Sequence, residues 1–380
     1  MNAWSSGAGH WRNTVYPCLP RALRPRILYP ISDCKKCGRA WLRDRTRSAR
    51  NAVMSVRKVE TSLMVPLPGG HQLHLRRLAD NPDGAAVLLL HGLLEDGTIF
   101  YSRQGRGLAH FLAEQGFDTY IPDLRGKGRS WPPVSRWAAY RVEDAVNQDI
   151  PAILDTIHSH KGAYPAFWIT HAWGGVLASS YLARYPGYRA SLNGLINFGS
   201  HRVAVHRSVS RYMLVEGLWG WCAQLAARFK GYVPGRSLKI GAENEFLGIQ
   251  RDSLNWFRGQ DWVDPVDQFD YGAAISQGLS FPPALYFAPS ADLARCSAAD
   301  VKGFMREIGH HNGRLVVLGR NLGNRHNYSQ ISMLTHPDAV QDHFPFMVNW
   351  MLEMNKLREE AQSGDGPEQK NQGHSTASGK

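Results

Sequence analysis

Two kinds of hydrophobic pattern alternate through the middle of the chain. Short, continuous apolar runs are typical of strands buried on both faces, and longer runs with apolar residues at helical spacing are typical of amphipathic helices. The predicted strands are Ala85–Leu90, Phe117–Pro122, Ala166–Thr170, Leu192–Phe198, Ala284–Ala288 and Arg314–Leu318. The predicted helices are Gln104–Gln115, Ala145–His158, Trp173–Arg184, Ala298–Ile308 and Pro337–Lys356. This alternation predicts the α/β class, with a doubly wound, mostly parallel sheet.

Residues 201–280 break this rhythm. About 80 residues between two sheet strands are too many for a loop, and helical stretches are predicted around Val215–Phe229 and Asn244–Trp256. We therefore expect a helical cap, inserted between core segments 54–200 and 281–355, over the carboxyl ends of the strands. Tryptophans are frequent here and either pack the cap onto the core or line a ligand pocket; they are Trp219, Trp221, Trp256 and Trp262.

The positive charge of the chain is concentrated at its start. The 380 residues carry a net charge of +12. Residues 1–53 contain 11 Lys and Arg against two acids, which leaves 33 basic and 30 acidic residues for the rest. Binding of nucleic acid needs clustered basic residues on the folded domain itself, so we expect no nucleic-acid partner.

Both ends are predicted to lie outside the folded domain. Residues 1–53 are interpreted as a transit peptide, as a disordered tail, or as sequence upstream of a natural start at Met54. Residues 356–380 are polar and are predicted to be a disordered tail. Cys34 and Cys37 lack a second ligand pair, so no metal is expected, and no cofactor is indicated.

The other two cysteines do not suggest a disulfide framework. Cys222 and Cys296 are the only cysteines in residues 54–380, so a reducing, cytoplasmic location is expected, or an organelle if residues 1–53 are a transit peptide. The mean hydropathy is −0.35, and no uncharged apolar run is long enough to predict a transmembrane helix.

Three motifs follow predicted strands. His91-Gly92-Leu93-Leu94 has the form of an oxyanion loop, and Asp123 to Ser130 follows the next strand. Thr170-His171-Ala172-Trp173-Gly174-Gly175 lies between a strand and a helix, which is the setting of a nucleophile elbow.

In this order and spacing, the motifs resemble the α/β-hydrolase family, in its capped lipase and esterase branch, over about residues 60–355. The resemblance implies a Ser nucleophile, an acid and a His, in that order. The nucleophile position is Ala172, and Asp292, just past a strand, is the acid position. The His position is Gln330, because Ala339 follows it by nine residues, the spacing found after the His of similar members.

Two of these three positions cannot do the family's chemistry. The methyl group of Ala172 has no lone pair, and Gln330 is not a base. Backbone donors for an oxyanion remain, from Trp173 and from Gly92 or Leu93. The sequence therefore predicts a pseudohydrolase that binds an apolar, carbonyl-bearing ligand or a partner protein.

Two alternatives stay open. One is a weak ester hydrolase in which His326, with Asp292, activates water. The other is an interaction or membrane-surface module that depends on the basic extension.

Overall fold

An eight-stranded sheet forms the centre of the molecule. A computed structural model describes residues 59–309 and 311–363. The strand order is β1-β2-β4-β3-β5-β6-β9-β10. In chain order these strands are β1 (Val59–Pro66), β2 (Gln72–Ala79), β3 (Ala86–Leu90), β4 (Asp118–Asp123), β5 (Phe167–His171), β6 (Gly194–Phe198), β9 (Ala284–Pro289) and β10 (Gly313–Leu318). Two short strands, β7 (Tyr232–Val233) and β8 (Glu245–Phe246), pair separately.

The predicted fold class is confirmed. The hairpin β1–β2 and the β2–β4 pair are antiparallel, and all other neighbours in the large sheet are parallel. Every residue of β3, β5 and β6 is buried, because helices cover both faces of the sheet. Because both faces of these strands are buried, their sequences are continuous apolar runs and do not alternate between apolar and polar residues.

Helices connect the strands. They are α1 (Leu108–Glu114), α2 (Val142–Asp144), α3 (Ile150–Lys161), α4 (Trp173–Arg184), α5 (Val209–Tyr212), α6 (Ala223–Lys230), α7 (Gly235–Leu238), α8 (Leu247–Phe257), α9 (Tyr271–Ser276), α10 (Ala298–Glu307), α11 (Ser332–Thr335) and α12 (Phe344–Ser363). A π-helical stretch, Ala145–Asp149, joins α2 to α3. The prediction for α1 began too early, because Gly105 and Gly107 have positive φ angles of 72° and 111°, which end any helix upstream of Leu108.

The closing helix differs from its prediction at both ends. Pro337–Gln341 forms a separate 3₁₀ turn, and α12 starts at Phe344. The prediction of disorder from residue 356 was wrong for 356–363, because α12 continues to Ser363. Strong helix formers fill this stretch, and Lys356 pairs with Glu360 one turn later at 3.6 Å. Residues 1–53 and the end of the predicted tail lie outside the described residues.

A mainly helical segment stands between β6 and β9. A second π-helical stretch, Met213–Cys222, joins α5 to α6, so that residues 209–230 form one unbroken helix, called helix 209–230 below. The segment packs on the loop after β3: Glu245 accepts the Leu94 N–H at 3.0 Å and pairs with Lys127, in the loop after β4, at 2.6 Å. No helix in the described part of the chain is long and apolar enough to cross a membrane.

Candidate active site

A strained turn joins β5 to α4 at Ala172. Its φ and ψ angles are 48° and −118°, a region that residues with a side chain rarely occupy. The turn is held by the Ala172 N–H, which donates to the Phe198 carbonyl at 2.9 Å. Gly174 lets α4 approach β3, since a Cβ there would lie 2.4 Å from the Leu90 carbonyl oxygen. The backbone thus has the form of a nucleophile elbow.

The methyl group of Ala172 faces a cavity of about 300 Å³. Its walls come from the loop after β3, from the elbow, from helix 209–230 and from the loops after β9 and β10. The lining is mostly apolar: Leu93, Leu94, Glu95, Ile99, Ala172, Trp173, His201, Ala204, Arg211, Leu214, Val215, Leu218, Trp219, Ile240, Gly241, Ala242, Phe257, Ala294, Arg295, Gln330 and Ile331. Ala172 and Gln330, 158 positions apart in the sequence, therefore meet in one cavity.

The Gln330 side chain is buried and its amide is already engaged. Its Nε2 donates to the Gly199 carbonyl at 2.8 Å. A neutral amide held in this way positions the loop after β10, and it offers no proton acceptor comparable to an imidazole.

Asp292 and His326 do not line the cavity. Asp292 is exposed, and its Oδ2 lies 3.1 Å from Nε of Arg295. The His326 Nε2 lies 2.6 Å from Oδ2 of Asp338, and its ring packs 4.1 Å from that of His336. The two residues of the predicted water-activating pair therefore bond to different partners: Asp292 to Arg295, and His326 to Asp338.

One predicted oxyanion donor is already occupied. The Gly92 N–H donates to Oε2 of Glu95 at 3.0 Å, so of the two predicted alternatives, Gly92 or Leu93, only Leu93 stays a prediction. Leu93 and Trp173 both line the cavity. The Trp173 N–H is the first N–H group of α4, and the first N–H groups of a helix have no partner within the helix. The positive end of the helix dipole lies at the same place.

A buried ion pair lies behind the elbow, and the motifs did not predict it. The Nδ1 of His171 is 2.8 Å from Oε2 of Glu95, and its Nε2 is 3.0 Å from the Gln330 carbonyl. Both partners are acceptors, so both nitrogens donate and the ring is an imidazolium. Burial lowers the pKa of His171, but the Glu95 carboxylate outweighs burial and raises it. Burial likewise opposes ionisation of Glu95, yet the imidazolium lowers its pKa.

Two further polar residues of the cavity come from the segment after β6, where no motif marks them. Arg211 is buried, donates to Asp300 at 2.7 Å and to the Leu293 carbonyl at 2.9 Å, and has an Nε without a hydrogen-bond partner among the described residues. His201 lies against the Phe257 ring, and burial lowers the pKa of His201.

Comparison with known proteins agrees with this architecture. Residues 81–243 match the family model described as serine aminopeptidase, S33. A solved structure of DcsB in complex with its substrate analogue superimposes with a TM-score of 0.52 and 13% identity, over 78% of this chain and 99% of that chain. The chain has the α/β-hydrolase fold. At this level of identity the likeness to DcsB establishes the fold alone.

Curated relatives match only part of this α/β-hydrolase-fold chain. A carboxymethylenebutenolidase homolog of Mus musculus is 26% identical over 94 residues, which are 23% of this chain and 38% of that protein. The homolog of Rattus norvegicus is 23% identical over the same length and the same shares. The matched region thus spans well under half of the curated relatives.

Proposed function

We propose that this α/β-hydrolase-fold protein binds an apolar, carbonyl-bearing ligand in the Ala172 cavity and does not act by serine-hydrolase chemistry. The observation that carries the proposal is the methyl group of Ala172, which stands where the family places its nucleophile, in the wall of a cavity of about 300 Å³. A cavity of this size is at the lower end of small-molecule sites.

The residues of the cavity wall support the proposal that no covalent catalysis takes place there, because nucleophilic side chains are missing from the described lining. Of its 21 described lining residues, none is Ser, Thr, Cys, Tyr or Lys. The single carboxylate, Glu95, is already bonded to His171 and to the Gly92 N–H. A nucleophile needs a lone pair and a base within hydrogen-bond reach, and this wall does not combine the two.

The polar groups that remain favour a ligand with an acceptor oxygen. The Trp173 N–H begins α4, and Trp173, Arg211 and Arg295 all line the same cavity. Each arginine pairs with a carboxylate through only some of its N–H groups. All three are donors only, and two of them carry positive charge. An apolar ligand with a carbonyl or carboxylate would bury its hydrocarbon part against the leucine and tryptophan side chains and direct its oxygen atoms to these donors.

A rescue experiment tests the missing chemistry. The unmodified protein, Ala172→Ser, Gln330→His and the double variant are compared for turnover of a short-chain nitrophenyl ester. Because nucleophile and base act as a unit, each single variant should stay near background, and the double variant should exceed the product of the two single effects. The ion pair of Asp292 with Arg295 should limit the gain, so adding Arg295→Ala should raise turnover further.

Two results would contradict the proposal. Fast turnover by the unmodified protein, or its labelling by a fluorophosphonate probe, would show a working nucleophile that the cavity wall lacks. If Ala172→Ser alone matched the double variant, another base would be active. His201 would be the first to test, since it is the imidazole that lines the cavity, and the alternative of an unorthodox ester hydrolase would gain.

A further inference from the structure

Helix 209–230 has an apolar surface on two sides. On one side Leu214, Val215 and Leu218 line the cavity. On the other, large apolar side chains point to solvent: Val209, Tyr212, Met213, Trp221, Leu225 and Phe229. Trp221 and Phe229 are 79% and 76% exposed. A helix that is apolar on nearly all sides belongs inside a protein or against lipid, and only one side of this helix is covered by the described chain.

The exposed residues follow a fixed spacing. Five of the six, all but Tyr212, lie in one row at intervals of four residues: Val209, Met213, Trp221, Leu225 and Phe229. The half-buried Gly217 holds the position in this row between Met213 and Trp221. On a straight α-helix such a row rotates about 40° per step around the axis. The π-helical stretch Met213–Cys222 has wider turns and reverses this rotation. The row therefore stays on one side as a continuous ridge.

A second element extends the ridge. The Arg136 guanidinium donates to the Phe229 carbonyl at 3.3 Å and lies 5.5 Å from the centre of the Trp137 ring, and Trp137 is 87% exposed. We call Trp137 and the six exposed side chains of helix 209–230 the apolar ridge.

Positive charge borders the apolar ridge. Residues 205–242 contain six Lys and Arg and a single acid, Glu216, which is bonded to Arg258. Two of the six do not contribute free charge, because Arg211 is buried against Asp300 and Arg236 is paired with Glu243. Arg207, Arg228 and Lys230 are exposed beside the ridge. Tryptophan and phenylalanine beside arginine and lysine are the composition of helices that lie in the interface of an anionic bilayer.

We infer that the apolar ridge binds the surface of an anionic phospholipid membrane, with helix 209–230 lying in the plane of the interface. A second copy of the chain fits less well, because a two-fold contact would bring the positive borders of both copies together. The inference does not depend on the proposed ligand, since the ridge and the cavity use different sides of the helix.

Flotation with lipid vesicles tests the inference on the full chain. The vesicles are phosphatidylcholine alone, or with about one-third phosphatidylserine. The triple variant Trp221→Ser, Leu225→Ser, Phe229→Ser should bind the anionic vesicles roughly tenfold less tightly or weaker still. A matched variant with Leu322→Ser, Leu352→Ser and Leu357→Ser, which are exposed elsewhere, should bind like the unmodified protein. Arg228→Gln with Lys230→Gln should lose roughly fivefold per residue, on anionic vesicles only.

All variants keep residues 1–58, so differences among them report the ridge and not the basic extension. Unchanged flotation of the triple variant would overturn the inference, as would failure of the unmodified chain to float with anionic vesicles. Sedimentation velocity in the absence of lipid tests whether a second copy of the chain covers the ridge instead. If the triple variant converts a dimer to a monomer, a second copy covers the ridge and the membrane assignment is wrong.

Discussion

At the scale of single residues, Ala172 has the strained backbone conformation of a nucleophile elbow. In a serine hydrolase this conformation presents the nucleophilic Ser hydroxyl, which Ala172 lacks. A residue with a side chain at φ 48° and ψ −118° costs roughly 1–3 kcal/mol of free energy. The surrounding structure imposes it through the Phe198 carbonyl and the close contact of α4 with β3.

Ala172→Gly should therefore leave the free energy of unfolding unchanged or raise it by up to about 1 kcal/mol, because relief of strain offsets the entropy of the more flexible unfolded chain. Ala152→Gly, inside α3, is the matched control and should cost about 1 kcal/mol. Urea denaturation measures both. An equal loss in the two variants would show that the elbow is unstrained.

The buried pair of His171 and Glu95 makes stability depend on pH. The raised pKa of His171 adds stability that is fully present below the unfolded value of 6.5 and is lost as pH rises through the folded pKa. The lowered pKa of Glu95 adds stability that is present above the unfolded value of 4.5 and is lost as pH falls through the folded pKa. The pair thus stabilises the fold most between these two values.

Glu95→Gln should cost on the order of 3 kcal/mol of unfolding free energy at about pH 6 and less at about pH 9, because the charge of His171 is lost as pH rises through its folded pKa. Denaturation curves at the two pH values measure the difference. His326→Gln, which breaks an exposed pair with Asp338, serves as the control and should show a small effect at both. Equal losses for Glu95→Gln at the two pH values would mean that the charge of His171 does not change between them.

Spacing within motifs predicted Ala172 and Gln330 because both stand at fixed distances from landmarks, the elbow glycines and Ala339. Arg211 and His201 have no such landmark. Their place in the cavity depends on how the segment after β6 folds back, which local spacing does not encode. Glu95 directly follows the motif His91–Leu94, but its partner His171 is 76 residues away, and no pattern in one sequence links the two.

At the scale of secondary-structure elements, the six predicted strands match the observed ones to within about two residues. Burial on both faces makes the central strands β3, β5 and β6 the clearest cases. Helix ends were less accurate: the start of α1 is set by glycines with positive φ, and the end of α12 by helix-forming polar residues without an apolar signal. The π-helical stretches in helix 209–230 and before α3 leave the same apolar pattern as an α-helix and were not predicted.

Gly217 tests whether helix 209–230 is formed in solution. A Cβ added there would meet no atom within 4 Å, so Gly217→Ala should raise the unfolding free energy by roughly 0.5–1 kcal/mol through lower entropy of the unfolded chain. Gly175→Ala is the opposite case, because its Cβ would lie 2.3 Å from Oγ of Ser200, and it should destabilise. Thermal denaturation compares the two. A loss of stability in Gly217→Ala would mean that residue 217 is not helical.

At the scale of the whole molecule, the parallel sheet explains why distant residues share a site. Ala172 follows β5 and Gln330 lies beyond β10, and both loops leave the sheet at the carboxyl ends of their strands, where open α/β sheets bind ligands. This convergence was predictable from topology once the strands were assigned. The position of Asp292 was not, because Asp292 has a positive φ of 57° and its carboxylate pairs with Arg295, which lines the cavity in its place.

A ligand that enters this cavity should stabilise the entire fold, because it binds the native state and not the unfolded chain. At a free concentration of 100 times its Kd, the gain in unfolding free energy is about 2.7 kcal/mol. Thermal denaturation with decanoate, methyl decanoate and decane distinguishes the contributions. We expect decanoate and the ester to raise Tm, and decane to have the smallest effect, because it lacks an acceptor for the Trp173 N–H and for Arg211.

The variant Ala204→Phe fills part of the cavity and should remove the shift, whereas Ala226→Phe, on α6 and outside the lining, should keep it. The Tm of each variant without ligand provides the reference for its own shift. Equal shifts in both variants would mean that the ligands bind elsewhere on the protein. A larger shift with decane than with decanoate would show that the polar groups of the wall repel the carboxylate, and the carbonyl-bearing ligand class would then be wrong.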